Sequence, residues 1–486
     1  MKKIIPLFLF LLVCNQVVAQ YTTPGTGVDC TLDDIVTASP GTVTVSGNVY
    51  TLHQNLTVAA NDILRIDSDL TLKIDGGIRV TVFGSFFVTA DEVIITATDS
   101  SQPFDGFRFE ELSDINIQNS TIEYGGGLQV LTETFTLNNC TVRFQNSGVA
   151  TGGAITLSRG IPVISNSTFM NNLNPAISSA ANANVSPQIF GNHIEANNQT
   201  NNNRPQINLG PSRANDTLRI VNNTIIGDRD LIMAGGIALA NLTGGSLLAV
   251  VVGNTIQDNR YGITIIGPTI FVGIKNNIIE DNDTQGDPMQ GGSGINLNAP
   301  TGGQTVFVSE NQIRRNLWGI TIQGPVDANL GDDANNPGGN VFADNGNNGE
   351  VFAMYNNGLN TILAKHNCWI EGVEITLEEA EEVIFHKVDD PSLGEVIFDP
   401  VCQFVAVDEF DFDSFVLYPN PTQDAVWFDN SFGFEKLYIR DLSGKTVYES
   451  LLIPGTNKIE FILPSGLYFT EFAISGKSVV RKLVVK

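Results

Sequence analysis

The sequence predicts an all-β solenoid, because one short motif recurs along most of the chain. The segment GNTIQDNRYGI, Gly253 to Ile263, returns in degenerate form between Asn119 and Asn345. Its apolar residue occurs nine times, and the eight intervals, which together span 220 residues, average 27.5 residues. This period is too short for an independent domain and suits one coil of a repeat protein. The nine apolar positions are Ile122, Val142, Phe169, Ile194, Ile225, Ile256, Ile279, Ile313 and Phe342.

Two columns of polar residues accompany the apolar positions. Asparagine adopts bends with positive φ readily, and side-chain amides stacked about 4.8 Å apart can hydrogen-bond from coil to coil. We therefore predict two ladders of polar side chains at the corners of the coils. The first column contains Ser120, Cys140, Ser167, Asn192, Asn223, Asn254, Asn277, Asn311 and Asn340. The second column contains Asn172, Asn197, Asn259, Asn282, Asn316 and Asn345.

The segments NTI, NNII and GIT between these corners are strand-like, and no helical period runs through them. This combination resembles the right-handed parallel β-helix repeat family, which has the pectate-lyase-like fold. The resemblance implies an all-β chain with a right-handed parallel β-helix over residues 21–402. Lyases, hydrolases, adhesins and inert spacers all use this fold, so the fold alone names no ligand. Polar insertions at 198–216, 286–294 and 327–339 are expected to leave the corners and shape a binding groove.

The N-terminal segment MKKIIPLFLFLLVCNQVVAQ, residues 1–20, has the features of a secretory signal peptide. Two lysines precede an apolar run from Ile4 to Val13, and small residues stand around Ala19. No later stretch approaches 18 uninterrupted apolar residues, so we expect no transmembrane segment in the mature chain. Residues 21–40 lack periodicity, whereas alternating apolar residues from Val43 onward predict the first strands.

The chain is strongly acidic, with 52 Asp and Glu against 26 Lys and Arg and a net charge of −26. This balance argues against a nucleic-acid partner, since phosphate binding needs basic surfaces. It is compatible with divalent cations or with solubility outside the cell.

Four cysteines remain once Cys14 leaves with the signal peptide, and three pairings are open. Cys140 occupies a ladder position, which favours a buried thiol. Cys368 and Cys402 flank the end of the solenoid, where a disulfide could pin the last coil in an oxidising compartment.

A capping helix is predicted near residues 377–386. Thr376 followed three residues later by Glu379 is a capping box, and an apolar face follows it. A short helix laid across the open last coil would protect its strand edges from pairing with other chains. The predicted apolar face contains Leu377, Ala380, Val383 and Ile384.

The C-terminal region is nearly neutral, unlike the acidic chain that precedes it. An acidic linker is predicted over residues 403–415, and residues 416–486 then contain 8 Lys or Arg against 7 acidic residues. Four motifs in this order resemble the type A C-terminal sorting domain of the type IX secretion system. The resemblance implies a small β-sandwich, a partner in the outer-membrane secretion machinery, and a secreted or cell-surface location. An Ig-like binding module is the alternative. The motifs are Tyr418-Pro419-Asn420-Pro421, Asp441-Leu442-Ser443-Gly444-Lys445, Ser465-Gly466-Leu467-Tyr468 and Lys482-Leu483-Val484-Val485-Lys486.

A row of charged residues precedes the second asparagine column on successive coils. The row contains Asp258, Asp281, Arg315 and Asp344, and adjacent members would lie about 5 Å apart. Asp258 and Asp281 are therefore candidate metal ligands that could hold Ca²⁺. The alternative is a solvated corner in which Arg315 pairs with the acidic residues.

Aromatic residues offer a second kind of candidate site. Tyr261 and Trp318 occupy the same place in their coils, each just before a glycine. If the rings face outward they can stack on sugar rings, with Arg260 and Arg315 contacting acidic groups; if they face inward they are core. The candidate substrate-binding residues are Arg260, Tyr261, Arg315 and Trp318.

These observations predict a secreted or cell-surface protein with an extended carbohydrate-binding or adhesive scaffold. The alternatives are a polysaccharide lyase or glycoside hydrolase acting on an acidic polysaccharide, and a passive spacer. The four histidines are scattered, and neither a nucleophile elbow nor a P-loop occurs. We therefore name no catalytic residue and leave enzymatic activity open.

Overall fold

The computed structural model describes residues 20–402, 415, 417–430, 434, 436–441, 444–452, 455–474 and 477–486. Apart from Gln20, the predicted signal peptide lies outside the described residues, and so does the predicted acidic linker apart from Phe415. The chain divides into two compact units, Met1–Gln403 and Phe404–Lys486.

The first unit is a parallel β-helix made of three long sheets, here called A, B and C. Apart from the first two strands of sheet C, consecutive strands of these sheets belong to different sheets, and within each sheet a strand pairs with the equivalent strand of the next coil. The chain therefore passes through sheets A, B and C once per coil. One antiparallel hairpin, Val43–Ser46 with Val49–Leu52, begins sheet C. The predicted fold class is confirmed.

The strands are assigned to the sheets as follows. Sheet A contains Gln20–Thr22, Asn55–Val58, Arg79–Val82, Gly106–Phe109, Leu128–Val130, Ile155–Gly160, Ile177–Val185, Pro205–Leu209, Gly235–Ala240, Ile263–Ile266, Ser293–Asn298, Trp318–Gln323, Met354–Asn357 and Ile384–Phe385. Sheet B contains Asp29–Cys30, Ile63–Ile66, Ser85–Val88, Asp114–Gln118, Thr134–Asn138, Val163–Ser165, Gln188–Phe190, Leu218–Val221, Leu247–Val252, Ile270–Lys275, Gln304–Ser309, Asp327–Gly331, Ile362–Ala364 and Val396–Ile397. Sheet C contains Val43–Ser46, Val49–Leu52, Leu70–Ile74, Val93–Ala97, Ser120–Glu123, Thr141–Arg143, Thr168–Met170, His193–Glu195, Thr224–Ile226, Thr255–Gln257, Ile278–Glu280, Gln312–Arg314 and Val341–Ala343. A small hairpin pairs Gly346–Asn347 with Glu350–Val351.

The repeated apolar residue forms a continuous row inside the solenoid. Its members pair in register from coil to coil and are fully buried, so each isoleucine contributes about 1.5–3 kcal/mol through burial. The period of the sequence thus reflects one core side chain per coil at this position. The row includes Ile194, Ile225, Ile256, Ile279 and Ile313.

The first polar ladder is formed by buried side-chain amides. Asn254 Nδ2 donates to Asn277 Oδ1, and Asn277 Nδ2 donates to Asn311 Oδ1, both at 2.9 Å. The same contact repeats from Asn192 as far as Asn367, one coil beyond the predicted column. Because these amides are buried, the ladder supplies the hydrogen bonds that water would otherwise provide.

The bend conformation belongs to the residue before each ladder asparagine, and this corrects our explanation of the asparagine columns. Asn276 has φ of 56° and Asp281 has φ of 57°. The ladder members that follow them, Asn277 and Asn282, are both described by the structure and do not have positive φ. The left-handed residue turns the chain, and the next side chain then points into the interior. Asparagine is used in the ladder for its amide rather than for its backbone conformation.

The second ladder has a gap that a glutamine from sheet A fills. At the coil of Ile225 the expected asparagine is replaced by Asp228. Asn197 Nδ2 donates to Gln206 Oε1 at 3.1 Å, and Gln206 Nε2 donates to Asn259 Oδ1 at 3.0 Å. The longer side chain of Gln206 thus replaces the missing rung.

A short helix, Leu32–Ala38, lies at the N-terminal end of the solenoid in a stretch where we predicted no element. Thr31 and Asp34 form its capping box, and Leu32 and Ile35 are buried. Asp34 is shorter than the usual Glu or Gln of this motif, which explains why the signal was missed.

Asp62 anchors the segment that precedes this helix. Its carboxylate accepts hydrogen bonds from the N–H groups of Gly25 at 2.7 Å and Gly27 at 2.9 Å. Burial raises the pKa of Asp62, but the hydrogen bonds from Thr23, Gly25, Val28 and Gly27 together outweigh burial and hold the pKa below its ordinary value.

The C-terminal end is covered by a helix that is shorter than predicted. The capping box of Thr376 and Glu379 is present, but the helix spans Leu377–Glu381. Ile384 instead begins a strand that pairs with Met354 in sheet A. Ala380 is buried as predicted, whereas Leu377 is 43% exposed. The cap therefore combines a helical turn with added strands.

The structure joins Cys368 and Cys402 by a disulfide, with a distance of 5.0 Å between their Cα atoms. The N–H of Cys402 donates to the carbonyl of Asn367, the last member of the first ladder. Cys140 is a buried free thiol, as predicted, and burial raises its pKa to about 11.

The second unit contains two antiparallel sheets around its own apolar core, which includes Phe428, Leu437 and Phe472. This agrees with the predicted small β-sandwich. One sheet pairs Ala425–Asn430 with Gly455–Glu460, and the other has the order Thr446–Leu451, Lys436–Arg440, Gly466–Ile474, Lys477–Val485.

Candidate ligand-binding groove

A groove of about 380 Å³ lies on the outer face of sheet A. Its floor is made of outward-facing side chains from four successive strands of that sheet. Since neighbouring strands are about 4.8 Å apart, the floor presents one side chain per coil in each row. The central row contains Thr264, Asn296, Thr321 and Tyr355.

Hydrogen bonds between coils fix the polar part of this floor. Asn296 Nδ2 donates to Thr264 Oγ1 at 2.8 Å, and Thr321 Oγ1 donates to Asn296 Oδ1 at 3.0 Å. The hydroxyl groups of Ser293 and Thr321 also lie 3.0 Å apart. The floor is therefore an ordered array of hydroxyl and amide groups.

Aromatic side chains continue the floor towards the C-terminal end. Trp318 is half-buried, its Nε1–H donates to the carbonyl of Pro288 at 2.9 Å, and its ring centroid lies 5.0 Å from that of Tyr355. Tyr355 in turn stacks on Phe385, with centroids 4.7 Å apart and ring planes at 11°. These contacts hold Trp318 and Tyr355 in defined orientations beside the polar row.

Tyr261 lies at the opposite side of the groove. Its ring packs on the backbone of Gly235, where an added Cβ would lie only 2.2 Å from Tyr261 Cζ. Burial raises the pKa of Tyr261, against the lowering effect of the neighbouring Arg260 charge. Tyr261 and Trp318 therefore line the groove rather than the buried interior core.

Two of the predicted insertions form the wall of the groove. The segment 288–291 and Asn203, from the insertion that begins at residue 198, both line it. Arg260 connects them, because its guanidinium donates to Asn203 Oδ1 at 2.5 Å and to the carbonyl of Gln290. Arg260 is only 7% exposed.

Arg315 does not line this groove, although we grouped it with Arg260 as a substrate-binding candidate. Its φ of 50° places it at an exposed corner, where its guanidinium bonds both carboxylate oxygens of Asp281 at 2.7–2.8 Å and one of Glu280 at 2.9 Å. The pKa of Arg315 is raised, chiefly by its hydrogen bonds to Asp281. Burial lowers this pKa and the hydrogen bond to Glu280 raises it further. This is the solvated corner that we gave as the alternative.

Asp258 also has a basic partner. Arg229 bonds Asp258 and Asp283, each at 2.7 Å. The part of the chain that the structure describes contains no group of three or more His, Cys, Asp or Glu side chains arranged to hold a metal ion. The candidate metal ligands Asp258 and Asp281 thus have arginine partners, and no cluster among the described residues supports a Ca²⁺ site there.

Sequence reasoning missed the polar floor. Thr264, Asn296 and Thr321 are common residues, 32 and 25 positions apart in that order, and no motif marks them. Their adjacency depends on the register of three coils. Counting two residues past each glycine of the GI motif would have found them, because Gly262, Gly294 and Gly319 stand at equivalent places.

Comparison with known proteins identifies the second unit. Residues 416–486 match the family model of the secretion system C-terminal sorting domain. The sorting domain indicates a protein that interacts with the type IX secretion machinery and is secreted or held at the cell surface. No helix in the described ranges is both long and apolar enough to cross a membrane.

The β-helix itself has a distant structural match. The crystal structure of a point mutant of the periplasmic alginate epimerase AlgG is similar at 13% identity, with a TM-score of 0.43, and the match covers 77% of this chain and 83% of the other. Curated protein sequences give no significant match.

In the sorting domain, the first and last sequence motifs are bonded to each other. Asn420 Nδ2 donates to the carbonyl of Lys482 at 2.6 Å, and the N–H of Val484 donates to Asn420 Oδ1 at 3.0 Å. The N–H of Thr422 donates to the carbonyl of Val484 at 2.9 Å. The side-chain amide of Asn420 thus makes hydrogen bonds to the backbone of the final strand of the domain, in the way that a neighbouring strand would.

Proposed function

We propose that the β-helix is a secreted scaffold that binds an extended polysaccharide in the groove on sheet A. One observation carries the proposal: a row of hydroxyl and amide groups, one per coil, runs directly into the aromatic surface of Trp318 and Tyr355. Sugars present hydroxyl groups at their edges and C–H groups on their faces, so they are suited to such a surface.

The arrangement of the floor supports a polymer rather than a single sugar. Its rows repeat at the spacing of the coils, about 4.8 Å, which is close to the length of one pyranose ring. A chain lying along the solenoid axis would therefore place successive sugars over successive coils. Bonds between Thr264, Asn296 and Thr321 hold the polar groups in position before the ligand arrives.

A hydrolase is the less favoured alternative because of the residues that line the groove. Glycosidases place two carboxyl groups on either side of the bond that is cleaved. The described residues that line this groove include no Asp or Glu. A lyase would need a general base close to the sugar, and among those same lining residues the candidates are Arg260, Tyr261 and Tyr355.

Binding to a panel of immobilised polysaccharides tests the proposal. We expect the Trp318→Ala and Tyr355→Ala variants to bind roughly tenfold more weakly than the wild type, since each loses a stacking surface. Phe271→Ala is the matched control, because Phe271 is a 49% exposed aromatic residue on sheet B, outside the groove. Equal binding by all four proteins, or no binding by the wild type to any polymer, would reject the proposal. Release of unsaturated sugars, seen as ultraviolet absorbance, would favour the lyase instead.

A further inference from the structure

The wall of the groove contains a buried positive charge that lacks an acidic partner. Arg260 is 7% exposed, and no Asp or Glu of the described chain forms a salt bridge with it. By contrast, Arg229 and Arg315 on the nearby corners each pair with acidic residues. A buried cation is unfavourable unless an anion or several hydrogen bonds compensate it.

The hydrogen bonds of Arg260 compensate it only in part. A guanidinium has five N–H donors, and two of them are used, by Asn203 Oδ1 and by the carbonyl of Gln290. Arg260 Nε is buried and has no hydrogen-bond partner among the described residues. Two oxygens are likewise buried and unpaired within that part of the chain: Asn202 Oδ1, in the insertion that begins at residue 198, and Thr284 Oγ1, two residues before the insertion at 286–294.

The surroundings of Arg260 are free of negative charge at the groove surface. Asp and Glu make up 52 of the 486 residues, yet none is among the described residues that line the groove. Asp287 stands next to the lining residue Pro288, but its carboxylate accepts hydrogen bonds from the N–H of Met289 at 3.0 Å and from Gln290 Nε2 at 2.8 Å. The described residues that line the groove thus carry one positive charge and no negative charge, on an acidic protein.

Gly291 allows the wall to close over this arginine. A Cβ at this position would lie 2.9 Å from Arg260 Cγ and 3.2 Å from Arg260 Nε. The insertion therefore packs directly on the side chain and keeps the guanidinium in a fixed position at the edge of the groove.

We propose that Arg260 binds an anionic group, a carboxylate or a sulfate, on the polysaccharide that occupies the groove. This inference rests on the proposed function and adds the chemical class of the ligand. A planar guanidinium with unused donors matches the paired oxygens of either group, and a partly desolvated site strengthens the contact. Neutral sugars would leave the charge of Arg260 uncompensated.

Matched polymers test the proposal with the full chain. Polygalacturonate and its methyl ester share one backbone and differ in charge, and a sulfated galactan and its desulfated form make the second pair. We expect the wild type to bind a charged polymer about ten- to a hundredfold more tightly than its neutral counterpart. Preference within the first pair assigns the anion to carboxylate, and preference within the second assigns it to sulfate.

Variants locate the preference. Arg260→Met should remove the preference for charged polymers, and Arg260→Lys should retain part of it. Arg229→Met, at an arginine outside the groove, should leave the preference unchanged.

Equal binding of charged and neutral polymers by the wild type, or a preference that survives Arg260→Met, would overturn the inference but leave polysaccharide binding intact. If the Met variant does not fold, the salt dependence of the wild type decides, because only the charged polymer should be released at about 0.5 M salt. Failure to bind either member of either pair counts against the proposed function itself.

Discussion

Replacing Asn277 by alanine tests whether the asparagine ladder holds the coils together. Asn277 is 1% exposed and joins three coils. Its Oδ1 accepts from both the N–H and the Nδ2 of Asn254, and its own Nδ2 donates to Asn311 Oδ1, all at 2.9 Å. Alanine removes these three contacts and also the bond from Asn277 Nδ2 to the carbonyl of Val251 on the preceding coil, at 2.9 Å.

The structure allows the size of the effect to be worked out. Asn254 Nδ2 keeps the carbonyls of Ile220 and Val252 as acceptors, but the N–H of Asn254 loses the acceptor that it has in the ladder. A lost hydrogen bond costs about 1 kcal/mol, and a buried donor left unpaired costs about 1–3 kcal/mol. We therefore expect Asn277→Ala to lower the free energy of unfolding by about 3 kcal/mol.

Serine should be less damaging, because the ladder itself contains a serine. Ser167 Oγ accepts from the N–H of Cys140 at 3.0 Å and donates to the carbonyl of Ser165 at 2.7 Å. Asn277→Ser should thus restore an acceptor for the N–H of Asn254 and lose roughly half as much stability as alanine.

Urea denaturation and hydrogen exchange of the N–H of Asn254 measure these effects. Gln312→Ala, an exposed position on the next coil, is the control and should change the free energy of unfolding by less than about 0.5 kcal/mol. A change for Asn277→Ala as small as that of the control, with exchange of Asn254 unaltered, would refute the stabilising role of the ladder.

Four further predictions concern the ends of the solenoid, the groove and export. Because the folded pKa of Asp62 is below its unfolded value near 3.9, its stabilisation is present above that pH and lost as pH falls through the folded pKa. The protection of residues 23–30 against hydrogen exchange, expressed relative to the intrinsic exchange rate at each pH, should therefore fall on acidification, and it should not fall in Asp62→Ala, which is already open at neutral pH. Reduction of the disulfide, or Cys368→Ser, should lower the unfolding temperature by several degrees and expose the last coil to protease, and an unchanged digestion pattern would contradict this. Gly235→Val should displace Tyr261 and weaken polysaccharide binding roughly tenfold without changing the circular dichroism of the β-helix, and normal binding would contradict the packing described. Deleting residues 416–486 should retain the protein in the periplasm, and normal export of the truncated chain would contradict the sorting role.

The repeat could be predicted from the sequence because every coil places the same residue types at the same buried positions. Ile256 and Ile279 stack in register, and Asn254 and Asn277 bond amide to amide, so each coil requires the same residue type at the same place. The ends and exceptions lack this redundancy. Gln206, for example, enters the second ladder from another sheet, and its role depends on three-dimensional proximity alone.

The candidate site was predictable only in part. Tyr261 and Trp318 stand at equivalent places before a glycine, so the sequence could pair them, and both line the groove. Arg260 follows Asn259 and Arg315 precedes Asn316, so the two arginines stand two positions apart in the alignment. Arg315 adopts positive φ and turns to the corner, while Arg260 is buried between two insertions. The direction of a side chain at a corner depends on one backbone angle, which composition does not reveal.

Tryptophan fluorescence during titration with polysaccharide tests the central claim most directly. The chain has three tryptophans: Trp318 lines the groove, Trp369 is 1% exposed in the core, and Trp427 belongs to the sorting domain. If the polymer binds in the groove, emission should change in the wild type and stay constant in Trp318→Phe at the same polymer concentration. A change that persists in Trp318→Phe, or a wild-type emission that does not respond to any polymer, would contradict binding at this site.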